Sequence, residues 1–247
     1  MRLAVISDIH GNIWALKAVL EDAERRSIEK FINLGDILYS PLKPRETFDL
    51  LQTIDALTIQ GNQDRAIYQA GQTEISDNPT LAYIIDELGS EPIKWLESLP
   101  KTQVIADEVF LCHGTPRSDL VYLLEDVAKG FPMVKTEAAI LEELDGCDFP
   151  IVLCGHTHLP RVVRLSSGTI IVNPGSVGLP AYDDDLPNYH VMQNYSPFAS
   201  YAIIEKRGDG WHTELLKIPY EFGLAAEQAQ RQGRDDWAQW LATGRAT

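Results

Sequence analysis

Five apolar, strand-forming runs in this chain each stop at a glycine, an acid, an amide or a histidine, and that repeated ending limits the folds open to it. The plainest is Ile151-Val152-Leu153-Cys154, which runs into Gly155-His156-Thr157-His158. Upstream, Leu3-Ala4-Val5-Ile6 leads to Asp8 and His10, and Phe31-Ile32-Asn33-Leu34 to Gly35-Asp36. Ala56 to Ile59 leads to Gly61-Asn62-Gln63-Asp64, and Val109 to Cys112 to His113-Gly114. Short apolar runs without polar alternation are strands buried on both faces. Between the first of them a helix is expected from Ile13 to Arg26, capped by Asn12, with Trp14, Leu16, Ala18, Val19 and Leu20 on one broad face. The first 65 residues therefore predict an α/β sheet with parallel strands, and loops after the carboxyl ends of such strands are where α/β proteins assemble their sites.

The rest of the chain reads as additions to that plan. Residues 65–100 are helical, with breaks at Gly71, Pro79, Gly89 and Pro92, and leave a strand end where they would form a small cap over a site. Gln103 to Ile105 with Val109 to Cys112, and Val162 to Leu165 with Thr169 to Val172, read as hairpins. Residues 117–135 are a partly irregular connection before a helix near Thr136 to Leu144, and 182–200 is a polar, aromatic loop without a period. Tyr201 to Lys206 and His212 to Lys217 form a last pair of strands. The tail, 221–247, is amphipathic and helical with a break near Gly233; Trp237 and Trp240 dock it onto the domain or a second subunit, which leaves a homodimer open. A length of 247 residues suits a single domain, 1–247, carrying the cap and the tail.

A net charge of −15 argues against stable nucleic-acid binding and against an anionic membrane, which select clustered Lys and Arg; a bound phosphate would have to be held locally, by metals or a few arginines. No apolar run approaches the roughly 18 residues of a membrane span, so a cytoplasmic protein is expected. Cys112, Cys147 and Cys154 form neither a disulfide framework nor a zinc pattern and read as small buried side chains.

Asp8, His10, Asp36, Asn62, His113, His156 and His158, all at strand ends, are enough for two adjacent divalent metals. A carboxylate can bridge two cations, neutral imidazoles bind them without adding charge, and an amide oxygen completes a shell. Two metals about 3.5 to 4 Å apart activate a water and stabilise both oxygens of an in-line displacement at phosphorus.

In this order, Asp8-x-His10, Gly35-Asp36, Gly61-Asn62-x-Asp64, His113-Gly114 and Gly155-His156-x-His158 resemble the motifs of the calcineurin-like metallophosphoesterase superfamily. Asn173-Pro174-Gly175-Ser176 resembles its small bacterial and archaeal phosphodiesterase branch, the YfcE-like proteins. The likeness runs from Arg2 to about Ile218. It implies a four-layer α/β fold, two β-sheets packed as a sandwich and flanked by helices. It also implies a binuclear hydrolase in which Asp8, His10 and His158 bind one metal, Asp36 bridges, and Asn62, His113 and His156 bind the other. Manganese is the first expectation, and iron, zinc, cobalt and nickel also suit the ligands. Asp64 matches an acidic residue that orients a neighbouring ligand.

Gln63 departs from the family, many of whose members carry histidine there. An amide can donate a hydrogen bond to phosphate but has no proton to give a leaving group, which favours diesters or anhydrides over alkyl monoesters. The arginine often found after Pro-Gly-Ser-Val-Gly is missing at Leu179-Pro180-Ala181, so Arg117 becomes the candidate for substrate phosphate. The expected catalytic set is thus Asp36, Asn62, Gln63, Asp64 and Arg117. The expected reaction is hydrolysis of a phosphodiester or phosphoanhydride in a small phosphorylated molecule such as a nucleotide or dinucleoside polyphosphate. A phosphomonoesterase or protein phosphatase of the same fold, or a non-catalytic scaffold, is the alternative.

Overall fold

The fold is that of a computed structural model, which describes residues 1–246. In chain order its elements begin with β1 (Arg2–Ile6), α1 (Ile13–Arg25), β2 (Lys30–Asn33), α2 (Pro44–Leu51) and β3 (Asp55–Thr58). Four short helices follow, α3 (Asn62–Gln69), α4 (Gln72–Asp77), α5 (Pro79–Leu88) and α6 (Ser90–Ser98). Then come β4 (Thr102–Ile105), β5 (Val109–Cys112), β6 (Glu125–Asp126), β7 (Met133–Val134), α7 (Glu137–Leu144) and β8 (Ile151–Leu153). The chain continues through β9 (Arg161–Arg164), β10 (Ile170–Asn173), β11 (Ala181–Asp184), β12 (His190–Gln193), β13 (Ala199–Arg207) and β14 (Gly210–Ile218) to α8 (Phe222–Arg231) and α9 (Asp235–Thr243).

Two five-stranded sheets, ordered β14-β13-β1-β2-β3 and β4-β5-β8-β10-β9, pack face to face. Alternate residues of each central strand meet between them: Leu3 and Val5 from β1, Val109 and Leu111 from β5, and Ile151 and Leu153 from β8 belong to one buried cluster. The intervening residues point outward into helix-covered cores. Ala4 and Ile6 join the cluster that holds Leu16 and Val19 of α1, while Val152 and Cys154 join Ile140 and Leu144 of α7. Burial on both faces is the reason these strands are unbroken apolar runs, and it produces the helix-sheet-sheet-helix layering that the family resemblance implies.

In the first sheet β1, β2 and β3 are parallel, and in the second β5, β8 and β10 are parallel. Within each sheet these strand ends therefore open on one edge. Asn12 caps α1 by accepting from the Ala15 N–H at 3.1 Å. The polar 182–200 stretch departs from the expected loop, because β11 and β12 form an antiparallel two-stranded sheet there. Trp237, Trp240 and Leu241 of the tail pack with Leu42, Leu179 and Ala181, which carries the end of the chain to the rim of the ligand-bearing loops. Among the described residues no helix is long and apolar enough to cross a membrane.

Candidate metal centre

The loops after β1, β2 and β8 turn sharply: Asp8, His10, Asp36, His156 and His158 all have positive φ, between 47° and 70°. Left-handed backbone is uncommon outside glycine, although Asp, Asn and His tolerate it best, and it redirects each side chain from the strand line into the gap between the sheets. Cross-sheet bonds hold the loops there. The His156 N–H donates to Asp8 Oδ2 at 3.2 Å, His113 Nδ1 lies 2.8 Å from the Leu34 carbonyl oxygen, and the N–H groups of Val177 and Gly178 donate to the carbonyls of Ser7 and Asp8.

The result is two buried triads, Asp8 with His10 and His158, and Asp36 with His113 and His156. Asn62 joins the second, its Oδ1 3.0 Å from His113 Nε2. The Asp8 carboxylate links the two: its Oδ1 is 3.4 Å from His158 Nε2 and 3.9 Å from His113 Nε2. Asp36 Oδ2 is 3.4 Å from the same His113 nitrogen.

These groups fit cations. His10 Nδ1 faces the Tyr39 carbonyl at 3.1 Å and His158 Nδ1 the Leu179 carbonyl at 2.7 Å. A carbonyl only accepts, so these contacts assign the proton to Nδ1 and the lone pair to Nε2, a tautomer that backbone carbonyls commonly fix in metal-binding histidines. The two Nε2 atoms then stand 3.2 Å apart with lone pairs converging. His113 Nε2, which carries a proton in the metal-free protein, faces the oxygens of Asn62 and Asp36, while Asp8 Oδ1 is buried without a donor. Acceptors gathered without donors are repulsive until a positive charge sits among them.

Electrostatics agree. Burial, with the neighbouring His158 for His10 and His113 for His156, pushes both imidazoles down to about 4, so both are neutral at pH 7. Burial also opposes charge on His113, yet the Asp36 and Asp8 carboxylates raise it to about 10; a bound cation would take the place of the proton that it holds. Burial works against the Asp8 and Asp36 carboxylates as well, but the facing imidazoles hold both below the ordinary value.

Asp64 lies behind the ligands. Its carboxylate accepts from the backbone N–H groups of Asp36, Ile37 and Gly61 at 2.8, 2.8 and 2.9 Å, which fixes the Asp36 turn. Burial and the Asp36 charge push it up to about 7 against the lowering by the Gly61 and Ile37 N–H groups. Asn173 and Ser176 are braces of the same kind. The Asn173 amide donates to the Gly155 carbonyl and Thr157 Oγ1, and the Ser176 hydroxyl donates to the Asp8 carbonyl.

The triads open into a cleft of about 320 Å³ whose walls include Asp36, Gln63, Asn62, His156 and His158. Gln63 donates its backbone N–H to Asp36 Oδ1 at 2.8 Å, and its buried side-chain Oε1 has no partner. Arg117 stands outside this cleft: its side chain is 64 % exposed, paired with Asp145, and borders another cavity, lined by Arg65, Lys101 and Asp119, that reaches the centre only at His113. The cleft instead receives Arg234 from the residue preceding α9, together with Tyr39, Asn78 and Tyr182. None of these four carries a sequence signal, since packing alone brings them there. Asp183 and Asp184, from the polar 182–200 stretch, also line it.

Strand-end ligands of this kind on a two-sheet sandwich define a metallophosphoesterase. Residues 1–194 match the calcineurin-like phosphoesterase superfamily domain, and the chain belongs to that family of metal-dependent phosphoric ester hydrolases. It is similar to a metallophosphoesterase from Sphaerobacter thermophilus, with 27 % identity and a TM-score of 0.76, covering 99 % of this chain and 100 % of that one. It is 26 % identical over 257 residues to an uncharacterized protein of Methanocaldococcus jannaschii, covering 95 % of this chain and 94 % of the other. Lower similarity extends to the phosphoesterase Yfce from E. coli, at 19 % identity and a TM-score of 0.45, covering 89 % and 100 %.

Proposed function

We propose that the chain hydrolyses a phosphodiester or phosphoanhydride, of the nucleotide or dinucleoside polyphosphate class, at two divalent cations, with manganese the first expectation. One observation carries the choice of a disubstituted phosphate. Beside the 320 Å³ cleft lies a second cavity of about 410 Å³, and Asn62, His156 and Asp184 belong to the walls of both. A diester or anhydride has a substituent for each side of its phosphorus, whereas a monoester has one. The second cavity is walled by Leu120, Val121, Val127 and Leu186, which suits an apolar group.

Asp8, His10 and His158 would hold one cation and Asn62, His113 and His156 the other, with Asp36 bridging. Two such ions lower the pKa of a water between them and offset charge on the attacking and leaving oxygens. The chain's own part is orientation. Backbone carbonyls fix the imidazole tautomers, Asp64 fixes Asp36, and the Gln63 amide donates to a phosphate oxygen without supplying a proton, so the leaving group must depart as a stable anion. We read residues 65–100 as a cap and 221–247 as a tail of the same domain. That reading is supported by Asn78 donating to the Tyr39 hydroxyl at 3.0 Å and by Arg234 donating to Thr80 Oγ1 at 3.0 Å, which ties the tail to the 65–100 segment.

The test compares manganese-supported hydrolysis of bis(p-nitrophenyl) phosphate with that of p-nitrophenyl phosphate. The diester is expected to have the higher kcat/KM; a monoester preference above about tenfold, 1.4 kcal/mol of transition-state stabilisation, overturns the proposal.

A further inference from the structure

Resting on that reading, we infer that Arg234 binds the phosphoryl group of the substrate, so that the C-terminal helical tail completes the active site. Arg234 is the sole Lys or Arg in the wall of the 320 Å³ cleft, where it faces the same space as Asp36, Asn62, His156 and His158. In a chain of net charge −15, with Asp183 and Asp184 in that wall, an anion entering the cleft meets one side-chain cation besides the metals.

The guanidinium is built in. Its Nε donates to Asp236 Oδ1 at 2.9 Å, Nη2 to Asp236 Oδ2 at 2.6 Å, and Nη1 to Thr80 Oγ1 at 3.0 Å. It lies 5.5 Å from the centre of the Trp237 ring, which is itself buried in the tail core. Arginine has five N–H donors; these contacts use three, and one remains on each terminal nitrogen. Two free donors on a fork already held in place match two oxygens of a phosphoryl group, at small cost in side-chain entropy.

A purely structural arginine would make the same bonds to Asp236 and Thr80 and do no more, so the test separates binding from folding. Wild type, Arg234→Gln and Arg234→Lys, each saturated with manganese, are compared by thermal melting, by calorimetric titration with inorganic phosphate, and by KM and kcat on bis(p-nitrophenyl) phosphate. Arg234→Gln is expected to weaken phosphate binding and raise KM by about tenfold or more, as for loss of hydrogen bonds to a charged group, while kcat changes less. Arg234→Lys keeps the charge without the fork and recovers part of the loss. Should the Gln variant fail to fold, the Lys variant decides: phosphate affinity and KM equal to wild type overturn the inference. A folded Gln variant that melts lower but binds phosphate like wild type also overturns it, since Arg234 is then structural. A manganese-loaded wild type that hydrolyses neither ester overturns the functional reading and this inference together; an active wild type with unchanged variants overturns this inference alone.

Discussion

Gly61→Ala tests how closely the metal centre depends on backbone packing. Gly61 has φ −102° and ψ 179°, an ordinary extended conformation, so alanine brings no backbone strain. What it brings is overlap. A Cβ there would stand 2.8 Å from the Asp36 carboxylate carbon and 2.5 Å from the Asp36 backbone nitrogen. Carbon atoms rest about 3.5 to 4.0 Å apart, so Asp36 or the start of α3 must shift by roughly 1 Å. Neither can do so freely: the Asp36 N–H is bonded to Asp64, and Asn62 and Gln63 begin the helix. Overpacking of this kind costs about 1 to 3 kcal/mol, and each kcal/mol lowers Tm by about 2 to 4 °C in a domain this size. The functional loss is larger in proportion. A misplacement of about 1 Å in a catalytic constellation costs on the order of a hundredfold in rate, and Asp36 belongs to the same triad as His113 and His156. The variant should stay folded with a modestly lower Tm, bind manganese more weakly, and hydrolyse the diester about a hundredfold more slowly. Activity within about threefold of wild type would refute the placement of Asp36 against Gly61 as a determinant of the site.

Three further substitutions probe separate parts of the molecule. His156→Ala should empty the site formed with Asp36, Asn62 and His113, and His158→Ala the one formed with Asp8 and His10; manganese titration of each variant checks this, and two variants losing the same site would contradict the division. Asp22 is 13 % exposed and accepts from the Tyr201 hydroxyl and Arg26 Nε, both at 2.7 Å. Burial opposes its charge, but Tyr201, Arg26 and Arg25 hold its pKa below the ordinary 3.8. A depressed carboxylate contributes stability that is fully present above 3.8 and is lost as pH falls through the folded value. Asp22→Asn should therefore cost about 1 kcal/mol at pH 7 and much less near pH 3; urea unfolding showing the same cost at both would be inconsistent with this account.

The ligand-bearing strands were legible because their chemistry is local. A strand covered on both faces must be apolar throughout, so its end is marked when the chain turns to Asp, His or Asn. The parallel pairing of β1, β2 and β3, and of β5 and β8, then gathers the ends within each sheet, and packing of the two sheets brings together ends more than a hundred residues apart. Asn173-Pro174-Gly175-Ser176 was legible as a motif but not as a brace, because its role depends on β10 running parallel to β8, which carries Asn173 to the Gly155 carbonyl. The β11–β12 hairpin gave no sequence signal, since Ala181-Tyr182-Asp183-Asp184 and His190-Val191-Met192-Gln193 lack both a buried run and a two-residue alternation. Arg234 was invisible for a different reason. It follows the last ligand, His158, by 76 residues, and reaches the cleft because Trp237 and Trp240 pack on Leu42 and Leu179.

The division of labour between core and site follows from the same geometry. Five of the seven proposed ligand residues sit in left-handed backbone, a conformation that costs of order 1 to 3 kcal/mol each when the residue is not glycine. Converging lone pairs add to that cost in the metal-free protein. Such a constellation persists only where its surroundings over-determine it, and here they do: the left-handed loops leave β1, β2 and β8, which are buried on both faces, and the bonds from His156 to Asp8, from His113 to Leu34 and from Gly178 to Asp8 join one sheet to the other. The ligands divide between the sheets in the same way. Asp8, His10, Asp36 and Asn62 follow strands of the first sheet, and His113, His156 and His158 strands of the second. Each triad therefore draws from both, so a cation in either one links the two halves of the sandwich at their shared edge. The packing between the sheets holds the strained loops in position, and cations bound at the proposed sites would relieve the repulsion that this packing imposes.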